Sequence, residues 1–204
     1  MRWLQLHLRS RRVPVALTTA TSLIALTWAL SLAYTDSTTI SARTASLVIM
    51  LAVVAVGTTL NGADDALDHT MAVNWPVRRA GHLLLAAAAI TGLLSLSMIT
   101  DTRYEPFSLV LRNTAGLLGL TALGATVLGA ALAWIAPLIW TLIAVLPMMG
   151  PSQDLKMQVV GWLIQPAGTT SATACAAILA VTGLLAYALR GCPVRPVSET
   201  APNR

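Results

Sequence analysis

Forty consecutive residues, 113–152, carry no charged side chain. As a single α-helix that run would be about 60 Å long, roughly twice the ~30 Å hydrocarbon core of a bilayer. It has to fold back on itself, and the turn is expected near 129–134. This gives one apolar segment over 108–130 (span 4) and another over 132–148 (span 5). Pro137 is expected to kink the second near its start and Pro147 to end it.

Four further apolar runs frame this hairpin: 13–34, 44–60, 80–100 and 169–189, spans 1, 2, 3 and 6. Only 10% of the residues are charged and 56% are hydrophobic, whereas a soluble domain carries about 25% charged residues. Too few charges are present to cover a soluble surface, so the class is an all-α polytopic protein of the cell membrane with six transmembrane helices. Six helices of ~20 residues use more than half of the chain and leave no room for a soluble catalytic domain. The pI near 10.0 does not point to nucleic acid, because the basic residues sit at the ends of the apolar runs, as membrane topology requires. Twelve of the thirteen basic residues are Arg, with Lys156 the exception, a composition suggestive of a GC-rich bacterial genome.

The same charges orient the chain. Nine basic residues (Arg2, Arg9, Arg11, Arg12, Arg78, Arg79, Arg190, Arg195, Arg204) fall on one side of a six-span layout. Four (Arg43, Arg103, Arg112, Lys156) fall on the other. The positive-inside rule then puts both termini in the cytoplasm. Residues 1–12 form a basic leader and 190–204 a Pro-rich, disordered tail, flanking a membrane domain of 13–189. Ser31-Leu32-Ala33 resembles a signal-peptidase site, but the apolar run before it exceeds the ~7–15 residues of a signal core, so a retained helix is expected. Residues 150–168 are too polar to cross and too apolar to stand free in water; a short interfacial or re-entrant helix over 154–163 is expected before span 6. Cys175 and Cys192 lie roughly 25 Å apart along a helix, too far for a bridge.

Motifs for chemistry are missing. The sequence has no Walker phosphate loop, no Gly-x-Ser-x-Gly elbow and no His/Cys cluster at metal spacing. His82 and Arg112 sit near span ends, and the spans are otherwise almost free of the ionisable groups that intramembrane hydrolysis or proton-coupled transport needs. The reading is a protein that is not itself an enzyme and holds no cofactor.

One polar island stands out between spans 2 and 3: NGADDALDHTMAVNWPVRRAGH, 61–82. Asp64 and Asp65 suit a helix start, and Leu67, Met71 and Trp75 recur at i, i+4, i+8 as one apolar stripe with Asp68 off it. Pro76 is expected to stop this helix, and Arg78 and Arg79 to anchor span 3 at the inner headgroups. Spacing alone leaves two readings open: the stripe dips into lipid, or it meets another protein.

The acidic turn at Asp64 and Asp65, Leu67 and then Trp75-Pro76-Val77-Arg78-Arg79 resemble the coupling-helix region of ABC-2 type permeases. In this chain Gly62-Ala63-Asp64 replaces the Glu-Gly-Thr that usually precedes the coupling helix. The six-span layout and the re-entrant segment before span 6 are also similar to that family. The resemblance implies the permease subunit of a bacterial ATP-driven exporter of an amphipathic substrate: a peptide antibiotic, drug or lipid. It implies a dimer with a second permease chain and a separate ABC ATPase subunit that binds ATP and Mg. Leu67, Met71 and Trp75 would enter a groove of that ATPase, with Asp64, Asp65, Asp68, Arg78 and Arg79 setting orientation. The alternative is a non-transporting immunity or scaffold subunit of a membrane complex.

A line of small residues, Ala115, Gly119, Ala122, Thr126 and Gly129, runs along span 4. It suits helix packing in lipid, the favoured reading, or a substrate path at the seam of a dimer.

Overall fold

The structure is a computed structural model that describes residues 13–34, 39–60, 75–99, 104, 106–145 and 150–193. The regular elements among them are helical: α1 (Val13–Tyr34), α2 (Ala42–Gly57), α3 (Trp75–Ser95), α4 (Phe107–Leu128), α5 (Ile135–Val145), α6 (Leu155–Val160) and α7 (Thr170–Arg190). Short 3-10 turns extend α2 through Thr58–Leu60 and α3 through Leu96–Ile99, and a third, Trp162–Ile164, follows α6. Among the described residues, five helical segments are long and apolar enough to cross a membrane. The chain is an all-helical protein of the kind that membranes hold.

The expected hairpin is present. α4 ends at Leu128, and Gly129 takes a φ of 84°, a left-handed conformation that glycine adopts without steric cost. A 3-10 turn, Ala130–Leu132, then reverses the chain. Of the return arm the structure describes α5, 11 residues, about 16 Å or half a hydrocarbon core; Pro147, expected to end this span, lies outside the described residues. Pro137 lies in the first turn of α5, where a missing N–H costs nothing. The described apolar part of this arm is Ala130–Val145.

α4 is the axis of the bundle, with fourteen of its 22 residues buried. α7 runs parallel to it and makes the largest helix–helix interface of the protein. The close approach is made by glycines. A Cβ on Gly119 would collide with the Leu179 carbonyl, and one on Gly183 with the carbonyl of Gly119. Small residues that let backbones touch are how helices associate where lipid removes any hydrophobic drive between them.

The ends of the helices gather in two groups. At one end, the Leu60 end, the Tyr187 hydroxyl donates to Leu60 O at 2.7 Å, and Thr59 Oγ1 lies 2.7 Å from His82 Nε2. This brings together the end of α2, the start of α3 and the end of α7. At the opposite, Gln165 end lie the starts of α4 and α7. Outward faces are apolar: Leu84 and Leu85 on α3, and Ile178, Val181, Leu185 and Leu189 on α7, are all more than half exposed. Such a surface is at home in lipid and not in water.

Tyr104, between α3 and α4, is 1% exposed and ties this connection to α1 by donating to Ile24 O at 3.0 Å. Burial pushes its hydroxyl up to about 12, only partly opposed by a hydrogen bond with Thr27. The folded protein therefore holds the neutral form that the unfolded chain gives up near pH 10. Stability from this group is present below pH 10 and is lost as pH rises from 10 towards 12. Thermal unfolding of the wild type is expected to fall steeply across that interval, and Tyr104→Phe to flatten the fall.

The glycine seam gives a second test. Gly119→Ala is expected to lower unfolding free energy by about 1–3 kcal/mol, the cost of overpacking a filled interface. Gly92 on α3 has open space around it, so Gly92→Ala should be neutral or add about 0.5–1 kcal/mol. Equal effects of the two substitutions in denaturation assays would contradict the seam.

Candidate functional site

The deepest polar feature of the bundle surrounds the segment between α6 and α7. α6 opens with Asp154, whose Oδ1 accepts from Lys156 N at 3.3 Å as an N-cap. The chain then leaves helical geometry at Gly161, makes the 3-10 turn Trp162–Ile164 and reaches Gln165-Pro166 in extended conformation. Trp162 and Leu163 are fully buried, Ile164 and Gln165 nearly so. The Trp162 ring abuts Gly116 of α4, where a Cβ would overlap it.

Irregular backbone inside a helix bundle leaves carbonyls without intrahelical donors, and each unsatisfied group is costly in apolar surroundings. Here α4 and α2 supply the donors. Asn113, fully buried, donates from Nδ2 to Leu163 O at 2.8 Å and to Ser46 Oγ at 3.1 Å. Ser46 Oγ donates in turn to Leu163 O at 3.2 Å. Arg112, 6% exposed, donates from Nη2 to Gln165 O at 2.7 Å, from Nη1 to Pro166 O at 3.1 Å and from Nε to Asn113 Oδ1 at 3.2 Å. The rigid guanidinium fork reaches two successive carbonyls at once, which the single point charge of a lysine cannot do. The Gln165 side chain closes the far side, donating to Gly150 O at 3.3 Å and accepting from Ser152 N at 3.2 Å. From α5, Trp140 Nε1 donates to Val160 O at 3.1 Å.

The arrangement clamps a non-helical segment in the bundle. The donors of Arg112, Asn113 and Ser46 are directed at the carbonyls of 163–166 and at one another, an arrangement that holds the shape of the segment. Arg112 is thus more than a residue near a span end. The sequence signal was the adjacent Arg-Asn pair opening the charge-free run and the Gln-Pro pair ahead of span 6; Ser46 and Leu163 gave none.

Of the residues assigned to partner binding, Asp64, Asp65, Leu67, Asp68 and Met71 lie outside the described residues. Trp75, Arg78 and Arg79 are described, and their setting differs from the expected one. All three stand on the first turns of α3, which begins at Trp75 and not at residue 80. Pro76 lies within the described helix, and the preceding helix that it was expected to stop lies outside the described residues. Arg78 is exposed, with its guanidinium 5.9 Å from the Trp75 ring centroid. Arg79 is buried and lies against Gly191 at the end of α7, where a cation favours the negative end of the helix dipole. Arg78 is therefore the basic residue of this pair that faces outward.

Of the small residues, Gly119 and Ala122 are buried, Ala115 and Thr126 half-buried, and Gly129 forms the turn. At Gly119 the line is covered by the α7 backbone. Its counterpart Gly183 lies sixty-four residues away and was not singled out in the sequence. No family model matches the chain, and no curated protein or solved structure matches it either.

Loosening the clamp should be measurable at Cys175, half-buried with its Sγ 3.8 Å from Val159 O. Asn113→Leu leaves Leu163 O and Ser46 short of a donor and is expected to cost about 1–3 kcal/mol. Arg112→Lys should destabilise to a similar degree. Both should raise the alkylation rate of Cys175 over that of Cys192 in the same chain. An unchanged ratio would show that the segment is held by other contacts.

Proposed function

We propose that the chain is the membrane permease subunit of an ATP-driven exporter, working with a separate ABC ATPase and a second permease chain to move an amphipathic molecule outward. The observation that carries the reading is the grouping at the Leu60 end. Tyr187–Leu60, Thr59–His82 and Arg79–Gly191 draw the end of α2, the start of α3 and the end of α7 into one joint. The segment 61–74, with its acidic turn and apolar stripe, connects α2 to α3 at this joint. A force applied to that segment would be delivered to α3 and α7 together. The positive-inside count assigns this end to the cytoplasm, where a nucleotide-driven partner works.

On this reading both termini are cytoplasmic and 132–148 is span 5, which completes the six crossings. α5 spans about half of the core, and the α6–3-10 segment descends from the outer side to meet it, joined at Trp140–Val160. The re-entrant backbone is allowed at that depth because protein and not lipid surrounds it. Apolar helix surfaces and the scarcity of intramembrane charge favour an amphipathic cargo over a compact ion.

The test is association. Co-expressed with its neighbouring genes, the chain should copurify with an ABC ATPase, and Leu67→Asp combined with Met71→Asp should abolish copurification while membrane insertion stays normal. Association that survives both substitutions removes 61–74 as the contact. A chain that captures no ATPase is instead a non-transporting subunit.

A further inference from the structure

Beside the clamp, at the Gln165 end, a cleft of about 500 Å³ opens between 150–153, α6 and the start of α7. That volume is within the ~300–1,000 Å³ of small-molecule sites. Its wall is unusual for this chain. It is made of Ser, Thr and Gln side chains with two prolines, and none of its residues is charged. Part of the wall is fixed by its own hydrogen bonds: Gln158 Nε2 donates to Ser152 O at 2.9 Å, Ser171 Oγ donates to Gln158 Oε1, and Gln165 holds Gly150 and Ser152. Gln153 and Thr170 are exposed on its rim. The floor, Gln165 and Pro166, is the backbone that Arg112 grips from behind.

Hydroxyl and amide groups each donate and accept. An ion would find no opposing charge in the wall, and the Arg112 guanidinium is directed at carbonyls and not into the cleft. α6 exposes Leu155, Met157 and Val159 alongside, an apolar flank for whatever is attached to a polar group lodged in the cleft. We propose that this cleft binds an uncharged headgroup that both donates and accepts hydrogen bonds, carried on an apolar tail. A sugar or an amide supplies that chemistry. The inference stands whether or not an ATPase couples to the chain.

The experiment uses the full chain alone in phospholipid nanodiscs. Four probes share one tail: hexyl glucoside, N-hexylacetamide, hexyl phosphate and hexyltrimethylammonium. Binding is read by saturation-transfer NMR at the methylene next to the headgroup. At least one neutral probe should bind about fivefold or more tighter than either charged one, and Gln153→Leu with Thr170→Val should remove about that factor, as expected for two lost hydrogen bonds. Preference for the glucoside assigns a glycosyl headgroup, and preference for the acetamide a peptide-like one. Should the double variant not reconstitute, Gln153→Asp, on the exposed rim, is expected to shift preference towards the trimethylammonium probe. Equal binding of all four probes, no binding of any, or no effect of either variant overturns the proposal.

Discussion

A stretch of backbone that is not helical sits inside a bundle of helices, and the rest of the structure is arranged to make that tolerable. Between Gly161 and Thr169 the backbone pairs the carbonyls of Gly161, Pro166 and Thr169 with its own N–H groups, while those of Leu163 and Gln165 turn to side chains of other helices. In an apolar interior each one left unpaired would cost several kcal/mol. Arg112, Asn113 and Ser46 meet that need from two neighbouring helices. The charge of Arg112 would itself be expensive to bury, and spreading it over the Gln165 and Pro166 carbonyls and Asn113 Oδ1 offsets the cost. Each side of the interaction makes the other possible. The segment needs donors, and the guanidinium needs acceptors.

The demand has consequences along α4. To present Arg112 and Asn113 inward at one end, the helix has to be central, and its remaining length is then packed on every side. Gly116 admits the Trp162 ring, Gly119 admits the α7 backbone and Gly124 admits Ala133 after the turn. Three glycines at near-helical spacing each make room for a different neighbour. Gly in a helix interior costs about 0.5–1 kcal/mol against Ala, and here each one is offset by a contact that a methyl group would exclude. α1 is the opposite case. Only Ala16, Ala20 and Ile24 are buried along its 22 residues, one narrow stripe against the bundle.

The helical class, five of the apolar crossings and the reversal at Gly129 were legible in the sequence because they follow from run length and charge, which are local properties. What was not legible depended on partners distant in sequence. Gly119 was visible as a small residue, but Gly183 only becomes its partner when α4 and α7 run parallel. Arg112 looked like an interfacial charge because a lone basic residue near a span end snorkels to the headgroups in most settings. It faces inward here because Gln165-Pro166, more than fifty residues on, brings carbonyls to it. Pro76 was read as a stop because helix interiors reject proline. It nevertheless stands within α3, as the second residue of Trp75–Ser95.

Arginine does similar work at both ends of the bundle. Arg112 closes over carbonyls at the Gln165 end, and Arg79 lies on the last turn of α7 at the Leu60 end. Arg112 donates to backbone carbonyls, and Arg79 packs against the backbone at Gly191. α7 is thus packed on α4 along its middle through the glycine seam and on Arg79 of α3 at its end, while Arg112 grips the backbone that leads into it. Parallel helices whose backbones touch at Gly119 and Gly183 leave no room for a side chain between them, which is why the seam is built of glycine.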